Sequence, residues 1–262
     1  MKRLDGQVIV ITGASSGLGA QLAFDAATLG AEVVLMARTG EKLVEVQERI
    51  AHATGKEPLL YTLDVANVEE VRAVFDALLQ KVTPHVLINN AGFGVFDSFH
   101  EANLSDIQHM LQTNVMGTMA CTQAVLGAMR QHGRGHIINI ASQAGKLSTP
   151  KSTGYAASKH AVLGFTNGLR MELAGTGIAV TAVNPGPIAT NFFATADPSG
   201  NYVNNVKRWM LTPQAVSKAV LGAISSRRRE VNIPRLMGIG STLYQLFPRL
   251  VETLGGKAFH QK

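Results

Sequence analysis

Seven short apolar runs punctuate the chain: Val8-Ile11, Glu32-Ala37, Leu59-Thr62, Val86-Asn89, His136-Ala141, Ala179-Asn184 and Glu230-Ile233. Gly, Asp or Asn stands at or near the ends of most of them, and helix-length segments separate them. Crossovers of that length return each strand parallel to the last, with helices covering the sheet. The expected fold class is therefore α/β: a Rossmann-like, doubly wound, parallel seven-stranded sheet with helices on both faces. Hydrophobic residues make up 46% of the chain and charged residues 16%, enough apolar side chain for one continuous core. No repeat, low-complexity tract or proline-rich linker divides residues 1–262, and any break would cut a βα unit, so a single domain is expected.

The first run leads into Thr12-Gly13-Ala14-Ser15-Ser16-Gly17-Leu18-Gly19 and then into a helical pattern, Leu22, Phe24, Ala26 and Leu29. Gly13 permits a tight turn, Gly17 lets backbone N–H groups approach a pyrophosphate, and Gly19 lets the helix lie close to the sheet. A glycine turn can also be a plain strand-to-helix junction. Its place after the first strand of a βαβ unit favours the phosphate reading. The second run ends at Met36-Ala37-Arg38-Thr39, where the adenosine ribose of a dinucleotide lies. An acidic residue there binds a 2′-hydroxyl and repels a 2′-phosphate, whereas Arg38 pairs with the phosphate. NADP(H) is therefore preferred over NAD(H). Asp64 and Val65, closing the third run, are placed to border the adenine.

The fifth run is followed by Ser142, and thirteen residues later by Tyr155-Ala156-Ala157-Ser158-Lys159. Tyr155 and Lys159, at i and i+4, project from one helix face. A free phenol has a pKa of about 10, too high for a base at neutral pH, and a nearby ammonium is expected to lower it. Ser142 is placed to hold a substrate oxygen. Each residue has an ordinary alternative as a surface partner or a turn residue. Their joint occurrence at the phosphate end of one sheet points to hydride transfer, with Tyr155 exchanging the proton.

On these residues the chain resembles the short-chain dehydrogenase/reductase family from Leu4 to about Ile233. The matching motifs are Thr12-Gly13-x-x-x-Gly17-x-Gly19, Asn89-Asn90-Ala91-Gly92 and Tyr155-x-x-x-Lys159. The resemblance implies strand order 3-2-1-4-5-6-7 and a catalytic tetrad of Asn114, Ser142, Tyr155 and Lys159, in which Asn114 holds a water linking Lys159 to solvent. It implies cofactor contacts at Gly13, Ser15, Ser16, Gly17, Leu18, Gly19, Arg38, Asp64, Val65, Asn90, Ala91 and Gly92. Tyr155, Lys159, Pro185, Gly186, Ile188 and Thr190 complete that set. Many NADP-preferring members carry a second basic residue in the glycine turn; this chain has Ser15 and Ser16, so the preference rests mainly on Arg38. Homodimers or homotetramers are common in the family.

The activity expected is NADP(H)-dependent interconversion of a carbonyl and a secondary alcohol, on an apolar ketone or aldehyde. A 3-oxoacyl thioester is an alternative substrate, and a catalytically silent NADP-binding regulator is the alternative of another class. Phe93, Phe96 and Phe99, with Phe192, Phe193 and Trp209 in a lid over about 188–212, predict an apolar pocket. Lys207 and Arg208 in that lid suit an acidic carrier or plain solvation.

The net charge is +6 and the pI near 9.6, yet no cluster of Lys and Arg with interleaved aromatics marks a nucleic-acid interface. Arg227-Arg228-Arg229 is expected to be solvated. The single cysteine, Cys121, reads as a buried thiol. No metal-ligand spacing, secretory leader or membrane span is evident, and a cytoplasmic protein is expected. An amphipathic extension, about 236–262, carries Leu236, Ile239, Leu243, Leu246, Phe247, Leu250 and Leu254 on one stripe, kinked at Pro248. Three roles are open for it: packing on the domain or a second subunit, covering the pocket, or lying on a membrane surface.

Overall fold

The strands β1 (Val8–Thr12), β2 (Glu32–Ala37), β3 (Leu59–Thr62), β4 (Val86–Asn89), β5 (Gly135–Ile140), β6 (Ile178–Pro185) and β7 (Glu230–Ile233) form one parallel sheet. Their order is β3-β2-β1-β4-β5-β6-β7. The structure, a computed structural model, describes residues 2–259. Met1, residues 260–262 and the side chains of 254, 255 and 257–259, Leu254 among them, lie outside the described residues. The connecting helices are α1 (Gly17–Thr28), α2 (Gly40–Thr54), α3 (Val68–Leu79), α4 (Leu104–Leu111), α5 (Gly117–Gln131), α6 (Thr153–Glu172), α7 (Phe192–Ala196), α8 (Asn201–Val206), α9 (Pro213–Ser226), α10 (Arg235–Leu246) and α11 (Pro248–Phe259).

Alternation along β1 sorts the core into two layers. Ile9 and Ile11 pack with Leu22 of α1, Ile50 of α2 and Val220 of α9; Val8 and Val10 pack with Phe75 of α3, Val125 of α5 and Leu169 of α6. With both faces covered, the strands read as continuous apolar runs, as a buried parallel sheet requires. The sheet turns back at the β1–β4 boundary, so the loops after these two strands part on opposite sides and leave a crevice at their C-terminal ends.

Asparagine side chains inside the sheet tie its elements together. Asn89 Nδ2 donates to Asn139 Oδ1 (2.8 Å) and Thr122 Oγ1 (2.9 Å), and Asn139 Nδ2 donates to Thr166 Oγ1 (2.9 Å), tying β4 and β5 to α5 and α6. Cys121 is buried, and burial pushes its thiol up to about 12, which keeps it protonated and inert.

His136 on β5 is also buried, 2.7 Å from Thr181 Oγ1, and burial pushes its pKa down to about 4. Between about pH 6.5 and 4 the unfolded chain binds a proton there that the folded chain does not, so stability is expected to fall across that window as pH drops. The full shift corresponds to about 3 kcal/mol. Urea unfolding at stepped pH should show a flatter slope in His136→Gln; parallel slopes would contradict this.

Candidate active site

A cavity of about 830 Å³ opens at the C-terminal ends of the strands. All eighteen residues expected to contact the cofactor line it, from Gly13 in the first loop to Thr190 after β6. They come together because parallel strands end on one edge, so every loop that follows a strand empties into the same crevice.

The glycine turn is built by close approach. Gly13 has φ +66°, and a Cβ at Gly19 would lie 2.1 Å from the Gly13 carbonyl oxygen. Asn90 locks the turn from the β4 side, its Nδ2 donating to the carbonyls of Thr12 (3.0 Å) and Gly13 (3.2 Å), while Thr12 Oγ1 accepts from the N–H groups of Asn90 and Ala91. Asn67 and Thr212 cap α3 and α9 with their side chains, but Ser16 makes no such bond at the start of α1. The first N–H groups of α1 thus remain without a side-chain acceptor beside a glycine-lined cavity, an arrangement that fits a pyrophosphate.

Arg38 and Thr39 line the far end of the cavity, as expected, and Lys42 joins them. Lys42 was not foreseen from the sequence. Its only signal is the four-residue step from Arg38 into the first turn of α2, which ordinary solvent-facing lysines share. Two cations at this end suit the 2′-phosphate of NADP better than Arg38 alone. Asp64 turns its Oδ1 to the Ala66 N–H (3.0 Å), so its carboxylate shapes the loop after β3.

Ser142, Tyr155 and Lys159 share one wall. The Ser142 hydroxyl lies beside the Tyr155 phenol and accepts from the Ala144 N–H (3.0 Å). The Tyr155 ring sits edge-on to Phe96 at 5.7 Å, with Phe192 tilted against it at 5.7 Å. The i, i+4 spacing predicts an ammonium that lowers the phenol's pKa; the structure differs. Lys159 Nζ donates to the Ile140 carbonyl (2.9 Å) and lies 5.8 Å from the Tyr155 ring centroid. Burial dominates both groups, pushing Tyr155 up to about 12 and Lys159 down to about 8. At neutral pH the phenol is therefore protonated, and the lysine titrates near 8.

Asn114 stands behind this wall. It occupies a π-helical turn, Gln112–Met116, between α4 and α5, a local irregularity that breaks the helix-length pattern and that sequence periodicity does not reveal. Its Nδ2 donates to the Phe93 carbonyl (2.9 Å) and Ser158 Oγ (3.0 Å), and its Oδ1 accepts from the Phe93 N–H (3.0 Å). The side chain therefore joins the loop after β4 to α6. Neighbouring Thr113 lines the cavity.

Phe93, Phe96, Phe192, Phe193 and Trp209 line the cavity with Tyr202, whereas Phe99 is 61% exposed and lies outside it. The lid segment returns to its base through the Ala189 N–H to Leu211 carbonyl bond (2.9 Å), and its Ala196 carbonyl accepts from the Phe96 N–H (2.9 Å).

The C-terminal extension inverts a simple reading of its stripe. Met237, Gly240 and Ser241 of α10 line the cavity, and Gly238 packs so close to Asn232 that a Cβ would come within 2.8 Å. Leu236, Ile239, Leu243 and Leu246 are exposed. Packing of the stripe on its own domain is thus not what the structure shows; the small-residue face packs instead. Among the described residues no helix is long and apolar enough to cross a membrane, and no three His, Cys, Asp or Glu side chains gather as a metal site.

A phosphate-fitting turn at the first strand of a parallel, doubly wound sheet defines a Rossmann-like nucleotide-binding protein. Residues 7–199 match the family model of the short chain dehydrogenases. The chain belongs to this family of oxidoreductases. Ketoacyl reductase HetN of Nostoc sp. is 34% identical over 233 residues, covering 88% of this chain and 79% of its own. The NADP-dependent 3-hydroxy acid dehydrogenase of Schizosaccharomyces pombe is 33% identical over 239 residues, covering 88% and 92%. A short chain dehydrogenase/reductase from Burkholderia phymatum, solved in complex with NAD, superposes with a TM-score of 0.86 at 28% identity, covering 95% of this chain and 96% of that one.

Proposed function

We propose that the protein is an NADP(H)-dependent reductase of apolar ketones or aldehydes, and the dehydrogenase of the corresponding secondary alcohols. The observation that carries this reading is the buried Tyr155 phenol beside Ser142 within the cavity that also holds the glycine turn. A bound nicotinamide supplies or accepts the hydride. Tyr155 gives its proton to the substrate oxygen, and Ser142 holds that oxygen in line. Lys159 replenishes the phenol, a role that a pKa near 8 allows, and Asn114 keeps α6 and the loop after β4 in register. The aromatic wall excludes water and selects an apolar substrate.

Arg38 and Lys42 select NADP(H). Arg38→Asp is expected to lose about 10-fold to 100-fold in NADPH affinity, from about 1.5–3 kcal/mol for a charge-assisted hydrogen bond, while NADH binding holds or improves. Titrating both cofactors against wild type and variant checks this. Equal wild-type affinity for NADPH and NADH would overturn it.

A second reading, reduction of a 3-oxoacyl thioester, draws on the exposed Lys207 and Arg208 of the lid and on the ketoacyl reductase among the relatives. A panel of carbonyl compounds with and without a thioester carrier, followed by NADPH absorbance, separates the two.

A further inference from the structure

The apolar stripe that α10 turns outward is continuous. Leu236, Ile239, Leu243 and Leu246 are 78%, 59%, 48% and 65% exposed, and Phe247 and Leu250 carry the strip onto α11 at 56% and 58%. A strip this size on a soluble surface marks an interaction site. Charge is distributed unevenly in the same direction. Residues 201–262 hold ten Lys and Arg against two Glu, whereas residues 1–200 hold fourteen basic against sixteen acidic. Of the two Glu, Glu230 pairs with Lys146, and Glu252 accepts from the Tyr244 hydroxyl. A groove of about 780 Å³ between α9, β7 and α10 places Arg228 and Arg235 beside Ile239 and Leu243. Neither arginine forms an ion pair among the described residues.

We propose that this face docks on an anionic lipid bilayer. Both helices lie in the interface plane, their aliphatic side chains reach the acyl region, and Arg228, Arg235 and Arg249 meet the headgroups. A second copy of the chain fits less well, because a two-fold contact lays one cationic face against another. Nucleic acid fits less well too, since the strip is aliphatic but for Phe247 and offers little to stack on a base. At twelve residues each, α10 and α11 are too short to span a bilayer. The inner side of α10, through Met237, Gly240 and Ser241, lines the candidate active site. Resting on the reductase reading, this gives a bilayer-dissolved carbonyl a route along α10 into the cavity.

The test is co-sedimentation of the full chain with extruded vesicles, either pure phosphatidylcholine or with about one third phosphatidylglycerol. Wild type is expected to sediment with the anionic vesicles, at least about tenfold more weakly with neutral ones, and less as salt rises. Leu243→Asp with Leu246→Asp should lose at least about tenfold in binding, and Arg235→Glu with Arg249→Glu should erase the preference for anionic lipid. All four positions are exposed, so folding is expected to survive; circular dichroism checks it. Wild type that ignores vesicles, or variants that bind as it does, would overturn the proposal. A concentration-dependent dimer dissolved by the leucine variant, without vesicle binding, would assign the face to a second copy instead. No substrate enters this assay, so its failure leaves the reductase reading untouched.

Discussion

Tyr155→Phe is expected to lower kcat for carbonyl reduction by about a thousandfold, within the range of about 10²–10⁴ that a positioned acid contributes, while NADPH affinity stays within about twofold. The ring contacts to Phe96 and Phe192 survive the change. What is lost is one hydroxyl and the proton it carries. Stopped assays with NADPH absorbance, beside a fluorescence titration of NADPH, separate chemistry from binding. A variant that turns over at the wild-type rate would remove Tyr155 from the mechanism; one that also loses NADPH would recast it as a cofactor-binding residue.

Gly19→Ala has the second largest expected effect, this time on the fold. Overpacking costs about 1–3 kcal/mol where side chains can yield. Here the obstacles are the Gly13 carbonyl oxygen, 2.1 Å from the new Cβ, and the Asn90 Nδ2 that donates to that carbonyl, 2.6 Å from the same Cβ. The loss should therefore exceed about 3 kcal/mol, with NADPH binding abolished along with it. Gly127→Ala at an exposed position of α5, where a Cβ meets nothing within 4 Å, supplies the contrast and should gain about 0.5–1 kcal/mol. Urea midpoints of the two variants decide the matter. A Gly19 variant that unfolds at the wild-type midpoint would mean that the turn can relax, and that the close approach is not needed.

Much of the site was legible because its parts are local. The glycine turn, the arginine ending β2 and the Tyr155–Lys159 step each occupy a few consecutive residues, and a parallel sheet carries all the strand ends to one edge. Strand β5 is shifted by one residue from its apolar run, to Gly135–Ile140, and β6 extends one residue beyond its run at each end, to Ile178–Pro185, since ladder pairing does not stop where the apolar stretch does. Lys42 and Thr113 were not legible: the first turn of α2 and the π-helical turn before α5 bring them to the cavity, and neither residue type signals that. The direction of the Tyr155 shift was also hidden. Spacing shows that a lysine is near, but only the enclosed site shows that desolvation dominates the phenol.

Sequence alone determined the α/β class, the order of elements and the strand-end residues that meet at the cavity, because period, turn chemistry and crossover length are properties of short stretches. Tertiary structure alone decided the outer helices. Periodicity in α10 shows which residues share a face, not whether that face is covered. Gly238 admits Asn232, so the small-residue face packs inward and the leucines turn to solvent. Which side of an amphipathic helix is buried depends on the fit between surfaces distant in the chain, and that fit exists only once the sheet has formed.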